Sequence, residues 1–350
     1  MSKPPTAAPP TARIELPRGA VGVRIAGSGI GLPSRTLTNA DLEKVMDTSD
    51  EWIVQRTGIR TRRIVDREAG ESVLSMAVPA LRNALADARV DAAQLDLVLV
   101  ATMCPEMACP PTACRVAAEI GAGRAGAMDV SAACCGFVFA LNMAHDLIKG
   151  GAYRTIGVIG ADTLSNWMDY STEGRSTAII FGDAAGAAIL RACDDPSRGI
   201  LAQSMHADGE GWKDIYTPTN KHHFPPCIEP DPRKLGHLQM NGATVFKFAV
   251  GTFPNLIQET LDKAGLTPEQ VDMFICHQSN ARILHAARER FGLPEEKLYV
   301  NIDRYGNTVA ASVPLCLHEL RAAGRVRDGQ KVMFVAFGGG LTWGSSLWQL

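Results

Sequence analysis

Apolar residues along this chain come in short unbroken runs, separated by stretches in which apolar and polar positions follow helical spacing. ALADARVDAAQLDLVLVATM, from Ala84, reads as a helix end, a polar turn and a buried strand. TLDKAGLTPEQVDMFICHQSN, from Thr260, repeats that order, down to the Leu95-Asp96 and Val271-Asp272 pairs that open each strand. MDVSAACCGFVFALNMAHDLIKGG, from Met128, predicts a strand, a sharp turn and an apolar helix. YVNIDRYGNTVAASVPLCLHELRAAG, from Tyr299, predicts the same three again. Each helix runs to a glycine, Gly150 and Gly324, as helix C-caps commonly do. Buried strands follow at IGVIGADT (Ile156) and VMFVAFGGG (Val332), and all these pairs lie about 175 residues apart.

The pattern predicts an α/β fold with mostly parallel central strands and a duplicated chain. The expected units are a disordered tail over 1–20, a first half over 21–195 and a second over 196–350, each half with its own sheet. Ligands of such sheets collect at the carboxyl ends of strands. Here those loops are Ser131–Gly136, His277–Asn280, Tyr305–Thr308 and Gly338–Gly340, and they are predicted to meet.

Composition narrows the class. A chain of 350 residues with 46% hydrophobic content can bury a large core, and a net charge of −2 argues against nucleic acid or an anionic membrane as main partner. No apolar run approaches the roughly 18–20 residues needed to span a bilayer. The start, MSKPPTAAPPTARIELPRG, has prolines where a signal peptide needs an apolar stretch. Nine cysteines, odd in number and set in largely apolar surroundings, read as reduced thiols and a cytoplasmic protein.

The four loops carry the candidate chemistry. Cys134 stands at the start of a helix, where orphan N–H groups and the macrodipole favour the thiolate. Strand–turn geometry alone leaves open whether Cys134 or Cys135 faces a pocket; a core role for both is the plain reading of free cysteines. Gly136 is expected to let substrate approach the backbone. His277, after the strand VDMFI, and Asn307, in the mirrored turn, are neutral hydrogen-bond donors; a satisfied structural histidine and a Gly-Asn turn are the plainer readings. Gly338-Gly339-Gly340 can present a backbone N–H to an oxyanion. The set lacks a strong base, which suits enolate stabilisation better than hydrolysis.

At these residues the chain resembles the β-ketoacyl-acyl-carrier-protein synthase III family, from about Val23 to Leu350. The likeness lies in TNADLEKVMDTSDEWIVQRTGIRTRRI, DVSAACCGF, IIFGDAAGAAIL, HQSNARI, YGNTVAASVP and AFGGGLTWGSS. The resemblance implies a thiolase fold: duplicated αβαβα halves, two mixed, mostly parallel sheets and buried helices between them. It implies decarboxylative condensation of an acyl-CoA primer with malonyl-acyl carrier protein by a homodimer. Coenzyme A thioester then serves as substrate, and no metal or other cofactor is needed. Cys134 would be the acylated nucleophile. His277 and Asn307 would hold the malonyl thioester, and the N–H groups of Cys134 and Gly339 would form the oxyanion hole. Phe137 and Phe337 match positions near the site. Trp52 and Arg175 match residues that sandwich adenine, Arg56 and Thr57 match their neighbours, and Lys247 and Arg282 match the rim that receives the carrier.

Some positions depart from the family pattern. Cys135 replaces a frequent alanine, Ala243 falls where some relatives have asparagine, and 211–237 matches poorly. Cys109 stands where relatives place a phenylalanine in the neighbouring subunit's acyl pocket, which suggests longer or branched primers. A papain-like order (Cys134, His277, Asn307) lacks the flanking motif of that family. A zinc site at Cys104, Cys109 and Cys114 lacks a fourth ligand. Priming of a polyketide or quinolone pathway by the same residues is the alternative.

Overall fold

The computed structural model describes residues 21–350, so the tail expected over 1–20 lies outside the described residues. The first sheet is built from β1 (Gly22–Gly31), β2 (Leu97–Ala101), β3 (Gly126–Val130), β4 (Thr155–Asp162) and β5 (Ala184–Cys193). Helices α1 (Val73–Ala88), α2 (Thr112–Ile120) and α3 (Gly136–Lys149) connect them. The order across the sheet is β1-β5-β4-β2-β3. The second sheet takes β6 (Gly199–Ala207), β7 (Met273–Cys276), β8 (Lys331–Gly338) and β9 (Thr342–Gln349), in the order β7-β8-β9-β6. Helices α4 (Gly242–Ala264), α5 (Ala281–Arg290) and α6 (Ser312–Ala322) belong to this half.

Side-chain alternation explains why strands without polar residues are stable here. On β2, Val98 and Val100 face outward into a cluster with Met76 and Leu81 of α1 and Val116 of α2. Leu97, Leu99 and Ala101 face inward to Phe137 and Leu141 of α3 and Val313 and Leu317 of α6. The same inner cluster holds Phe334 and Trp348 of the second sheet, so α3 and α6 lie between the two sheets. Beyond the second sheet, Phe253 and Ile257 of α4 and Leu284 of α5 pack on Phe274, Val335 and Leu347. The result is the five-layer αβαβα architecture that the resemblance implies. A helix buried along most of its faces, such as α3, suits such a central layer. Each large side chain buried there stabilises the fold by about 1.5–3 kcal/mol.

Three details differ from expectation. The sheets are mixed, but antiparallel pairings number four (β1/β5, β5/β4, β8/β9, β9/β6) and parallel ones three (β4/β2, β2/β3, β7/β8). The crossover units are parallel as read; each half carries two further strands in antiparallel pairing.

Second, no strand forms at Tyr299–Asn301, so the second sheet is one strand short of the first. One parallel bridge, Phe274 to Leu298, begins the pairing, and the side chain of Gln278 takes over beyond it. Its Nε2 donates to the Cys276 and Tyr299 carbonyls, and its Oε1 accepts from the Asn301 N–H. Third, the two helix ends turn differently: Gly150 caps α3 as read but with a right-handed backbone (φ −72), leaving the left-handed turn to Gly151 (φ 77), whereas Gly324 (φ 65), one residue past the Ala323 cap of α6, is itself left-handed.

Candidate active site

Both central helices begin without a side-chain cap. Each is entered instead through a tight turn containing a non-glycine residue in the left-handed region, Ala133 (φ 46) before α3 and Val309 (φ 53) before α6. That conformation is costly for alanine and more so for a β-branched residue, by about 1–3 kcal/mol. Residues 133 and 309 are 176 apart, as are the starts of β4 and β8. The two turns are therefore the same device in the two halves.

The four loops meet around one cavity of about 430 Å³. Its walls include Cys134 from the first turn, Ser279 and Asn280 after β7, Asn307 before the second turn, and Gly338 and Gly339 at the end of β8. Phe337, Ile179, Ile180 and Phe246 make the rest of the lining mainly apolar. Ile215 and Met240, paired in a two-residue ribbon, close the side formed by the 211–237 segment and its flanks. Edge-on stacking of Trp212 on Tyr216 and of Tyr216 on Phe224 holds that segment together.

The structure separates the adjacent cysteines. Cys134 lines the cavity, while Cys135 is fully buried, with Thr342 and the Gly344 backbone beside its sulfur and its thiol pushed up to about 12 by burial. Gly338 must be glycine, since a Cβ there would lie 2.8 Å from the Cys134 nitrogen. Gly136 proves to serve packing: a Cβ would stand 3.0 Å from that of Ala101, on the core side and not toward substrate.

Electrostatics correct one expectation. Burial pushes the Cys134 thiol well above its ordinary value; Cys135 and the buried Asp162 add to the rise, and the N–H groups of Cys134 and Gly339 pull the other way. Desolvation is the largest of these effects and acts toward the thiol form. The same two N–H groups lie within reach of the sulfur.

Asn307 is 5% exposed, and its Oδ1 accepts from the Val309 N–H at 2.9 Å, which leaves its Nδ2 group for the cavity. His277 is set one layer back, 1% exposed, edge-on to Phe337 with centroids 5.7 Å apart. Its Nδ1 lies 2.7 Å from the Ser312 hydroxyl, and burial pushes its pKa down to about 3, so the ring is neutral.

At the mouth, Trp52, Arg56, Thr57 and Arg282 line the cavity. The guanidinium carbons of Arg56 and Arg175 stand 4.5 and 5.1 Å from the Trp52 ring, and Arg175 donates to the Asp47 carbonyl. Arg282 stacks on Phe246 at 5.1 Å. Arg175 and Lys247 stay outside the lining, Lys247 exposed beyond it. Phe137 is not at the site: it points into the inter-sheet core. Cys109 is exposed on the loop before α2, and among the described residues no group of three His, Cys, Asp or Glu is placed to hold a metal.

Sequence reasoning missed Asp162, Gln278 and Ser312. Asp162 is wholly buried and accepts from the Met103 and Ala310 N–H groups at 2.7 and 3.2 Å, which ties the β2 loop to the second turn. Its signal was present, as the lone carboxylate closing an apolar eight-residue strand.

Known proteins match this arrangement over nearly its whole length. Sequence models described as 3-oxoacyl-[acyl-carrier-protein] synthase III and its C-terminal region match residues 128–209 and 261–350. A β-ketoacyl-[acyl-carrier-protein] synthase III of Caldanaerobacter subterraneus is 44% identical over 330 residues, 93% of this chain and 97% of that one. The chain belongs to the synthase III family. A synthase III of the same description from Aquifex aeolicus is 43% identical over 93% of this chain and 99% of its own. The crystal structure of the Aquifex aeolicus enzyme superposes with a TM-score of 0.85 at 41% identity, covering 94% of this chain and all of that one. A priming β-ketosynthase from a polyketide biosynthetic pathway reaches 0.87 at 34% identity, covering 97% and 99%. Between the two matched stretches, the synthase III family models leave residues 210–260 uncovered.

Proposed function

We propose that this chain joins an acyl-CoA primer to malonyl-acyl carrier protein with loss of CO2, giving a 3-oxoacyl-acyl carrier protein and opening type II fatty acid synthesis. The observation that carries the reading is one apolar cavity whose wall holds Cys134, Asn307 and the Gly338-Gly339 backbone, with Trp52, Arg56 and Arg282 at its mouth.

In the first half-reaction the Cys134 sulfur attacks the acyl thioester carbon. The oxyanion is held by the Cys134 and Gly339 N–H groups, and coenzyme A leaves with the thiol proton, which suits a resident thiol. In the second, the malonyl carboxylate leaves as CO2 and its bonding pair enters an enolate. The Nε2–H of His277 and the Nδ2–H of Asn307 stabilise that enolate oxygen. The enolate carbon then attacks the acyl-cysteine carbonyl, and the Cys134 thiolate is expelled and takes up a proton. The apolar wall at Phe337 favours loss of CO2 over hydration. Each oxyanion donor contributes on the order of 3 kcal/mol to such a barrier. Trp52 and Arg175 take the adenine, with Arg56 and Thr57 beside it, while Lys247 and Arg282 receive the acidic carrier. The steps use coenzyme A thioesters as substrates and no cofactor.

A homodimer is part of the proposal. β3 is the free edge of the first sheet, Met128 on it is 39% exposed, and Met107 and Cys109 stand on the neighbouring loop. Among the described residues no helix is long and apolar enough to cross a membrane, and we place the enzyme in the cytoplasm, where its thiols stay reduced. Likeness to a polyketide priming synthase supports a second reading, with the same chemistry and a different primer.

Intact-mass measurement after incubation with a panel of acyl-CoAs tests both. One acyl adduct is expected, lost in Cys134→Ala and kept in Cys135→Ala, and the preferred chain separates the readings. No adduct with any thioester overturns them.

A further inference from the structure

We propose that Ser312 is a positioning residue that fixes the tautomer of His277, so that a proton donor and not a lone pair is aimed at the malonyl thioester; the catalytic consequence rests on the condensation reading above.

Hydrogen-bond accounting around the ring leads there. Ser312 is the first residue of α6 and is 2% exposed; His277 follows β7 and is 1% exposed, so neither can turn to bulk water. The Ser312 oxygen lies 2.7 Å from His277 Nδ1 and accepts the Gln278 N–H at 3.3 Å. Two arrangements fit those distances. If Nδ1 carries the proton, it donates to the serine oxygen, and the hydroxyl hydrogen then needs a further acceptor. None is found for it among the described hydrogen bonds. Other buried helical hydroxyls, Thr57 and Thr260, turn back onto the carbonyl four residues earlier at 2.7 Å; Ser312 makes no such bond.

If instead the serine donates to Nδ1, every hydrogen has one acceptor. Gln278 N–H goes to Ser312, Ser312 O–H goes to Nδ1, and Nε2 keeps its proton as a donor. Which nitrogen of a neutral imidazole carries the proton is set by the bond the other one makes. Asn307 is treated alike: Val309 N–H occupies its Oδ1, which turns its NH2 group the other way. Both enolate donors are thus oriented from residues of the second turn and the helix it opens.

The test uses the full chain labelled with 15N-histidine, with the His277 resonances assigned by their loss in His277→Gln. The wild type is expected to show the Nε2–H pattern. Ser312→Ala is expected to shift it toward Nδ1–H or a mixture, and Ser312→Thr to retain it. In parallel, malonyl decarboxylation by acylated Ser312→Ala should fall on the order of 10²-fold, the lower range for a lost oxyanion donor. Ser312→Thr should recover most of it, and acyl-adduct formation on Cys134 should be unchanged in both. Should Ser312→Ala fail to fold, Ser312→Cys, which keeps the volume and weakens the donor, replaces it. An Nδ1–H wild type, or an unchanged tautomer and rate in the donor-deficient variant, overturns the proposal. If the wild type forms no acyl adduct, the condensation reading fails while the tautomer spectra still decide the role of Ser312.

Discussion

The turns that open α3 and α6 share one backbone and differ in what satisfies it. In the second turn, the Ala310 N–H is taken by the Asp162 carboxylate at the end of β4. The corresponding N–H of the first turn belongs to Cys134, and the residue corresponding to Asp162 on β8 is Gly338, which has no side chain to offer. A backbone donor that a carboxylate takes in one half is therefore turned toward a thiol in the other. A duplicated fold can thus expose a backbone donor by deleting its partner, here beside the thiol proposed to be acylated. The second turn, with its donor satisfied, instead holds Asn307 through the Val309 N–H.

Filling the gap at Gly338 should break this difference most severely. Gly338→Ala places a Cβ 2.8 Å from the Cys134 nitrogen and 2.9 Å from its Cβ. Acylation by acyl-CoA should drop by about 10²–10³-fold, the cost of a lost oxyanion donor, with a lower thermal midpoint besides. Stopped-flow acylation and calorimetry would check it; a rate within two-fold of wild type refutes the assignment of that N–H.

Removing the substitute ladder of the shorter sheet comes next. Gln278→Ala orphans the Asn301 N–H and the Cys276 and Tyr299 carbonyls, and should lower unfolding free energy by about 3 kcal/mol, at 1–3 kcal/mol for a buried orphan. Urea titration measures this. An effect below 1 kcal/mol would mean that the missing strand needs no replacement.

A smaller, pH-dependent effect belongs to Asp162, whose pKa burial raises from 3.8 to about 7. Between those values the folded state holds a proton that the unfolded state has released, so stability falls as pH rises and the full cost is present above about 7. Asp162→Asn loses an acceptor at all pH values but also loses this slope. Its destabilisation should therefore be smaller at pH 8 than at pH 5 in paired denaturation curves; an equal difference at both would contradict the raised pKa. Least of all, Ala133→Gly relieves a left-handed alanine, and stability should move by no more than about 1 kcal/mol, upward. A larger loss would show that the alanine methyl and not the turn is what matters.

Much of the site was legible because it sits at strand ends, where pattern and chemistry coincide. The run ending in Cys276 pointed to His277, and the echo of the first turn pointed to Asn307. Ser312 was not legible, since a serine at a helix start is an ordinary cap until its hydroxyl is seen against Nδ1. Phe137, matched to the site by resemblance alone, lies in the inter-sheet core, the plainer reading of an apolar residue on that helix. The strand expected at Tyr299 misled because β propensity cannot foresee that a glutamine will occupy its hydrogen bonds.

By itself, the order of apolar runs and turns fixed the class, the duplication and the four loops that meet. Those are properties of local spacing, which a chain cannot alter once written. Folding alone decided which of two adjacent cysteines faces the cavity, that burial raises its thiol pKa, and which backbone donor a carboxylate takes. Each of these depends on groups distant in sequence arriving within a few ångströms, where burial and a single carboxylate outweigh the local preference of a helix end.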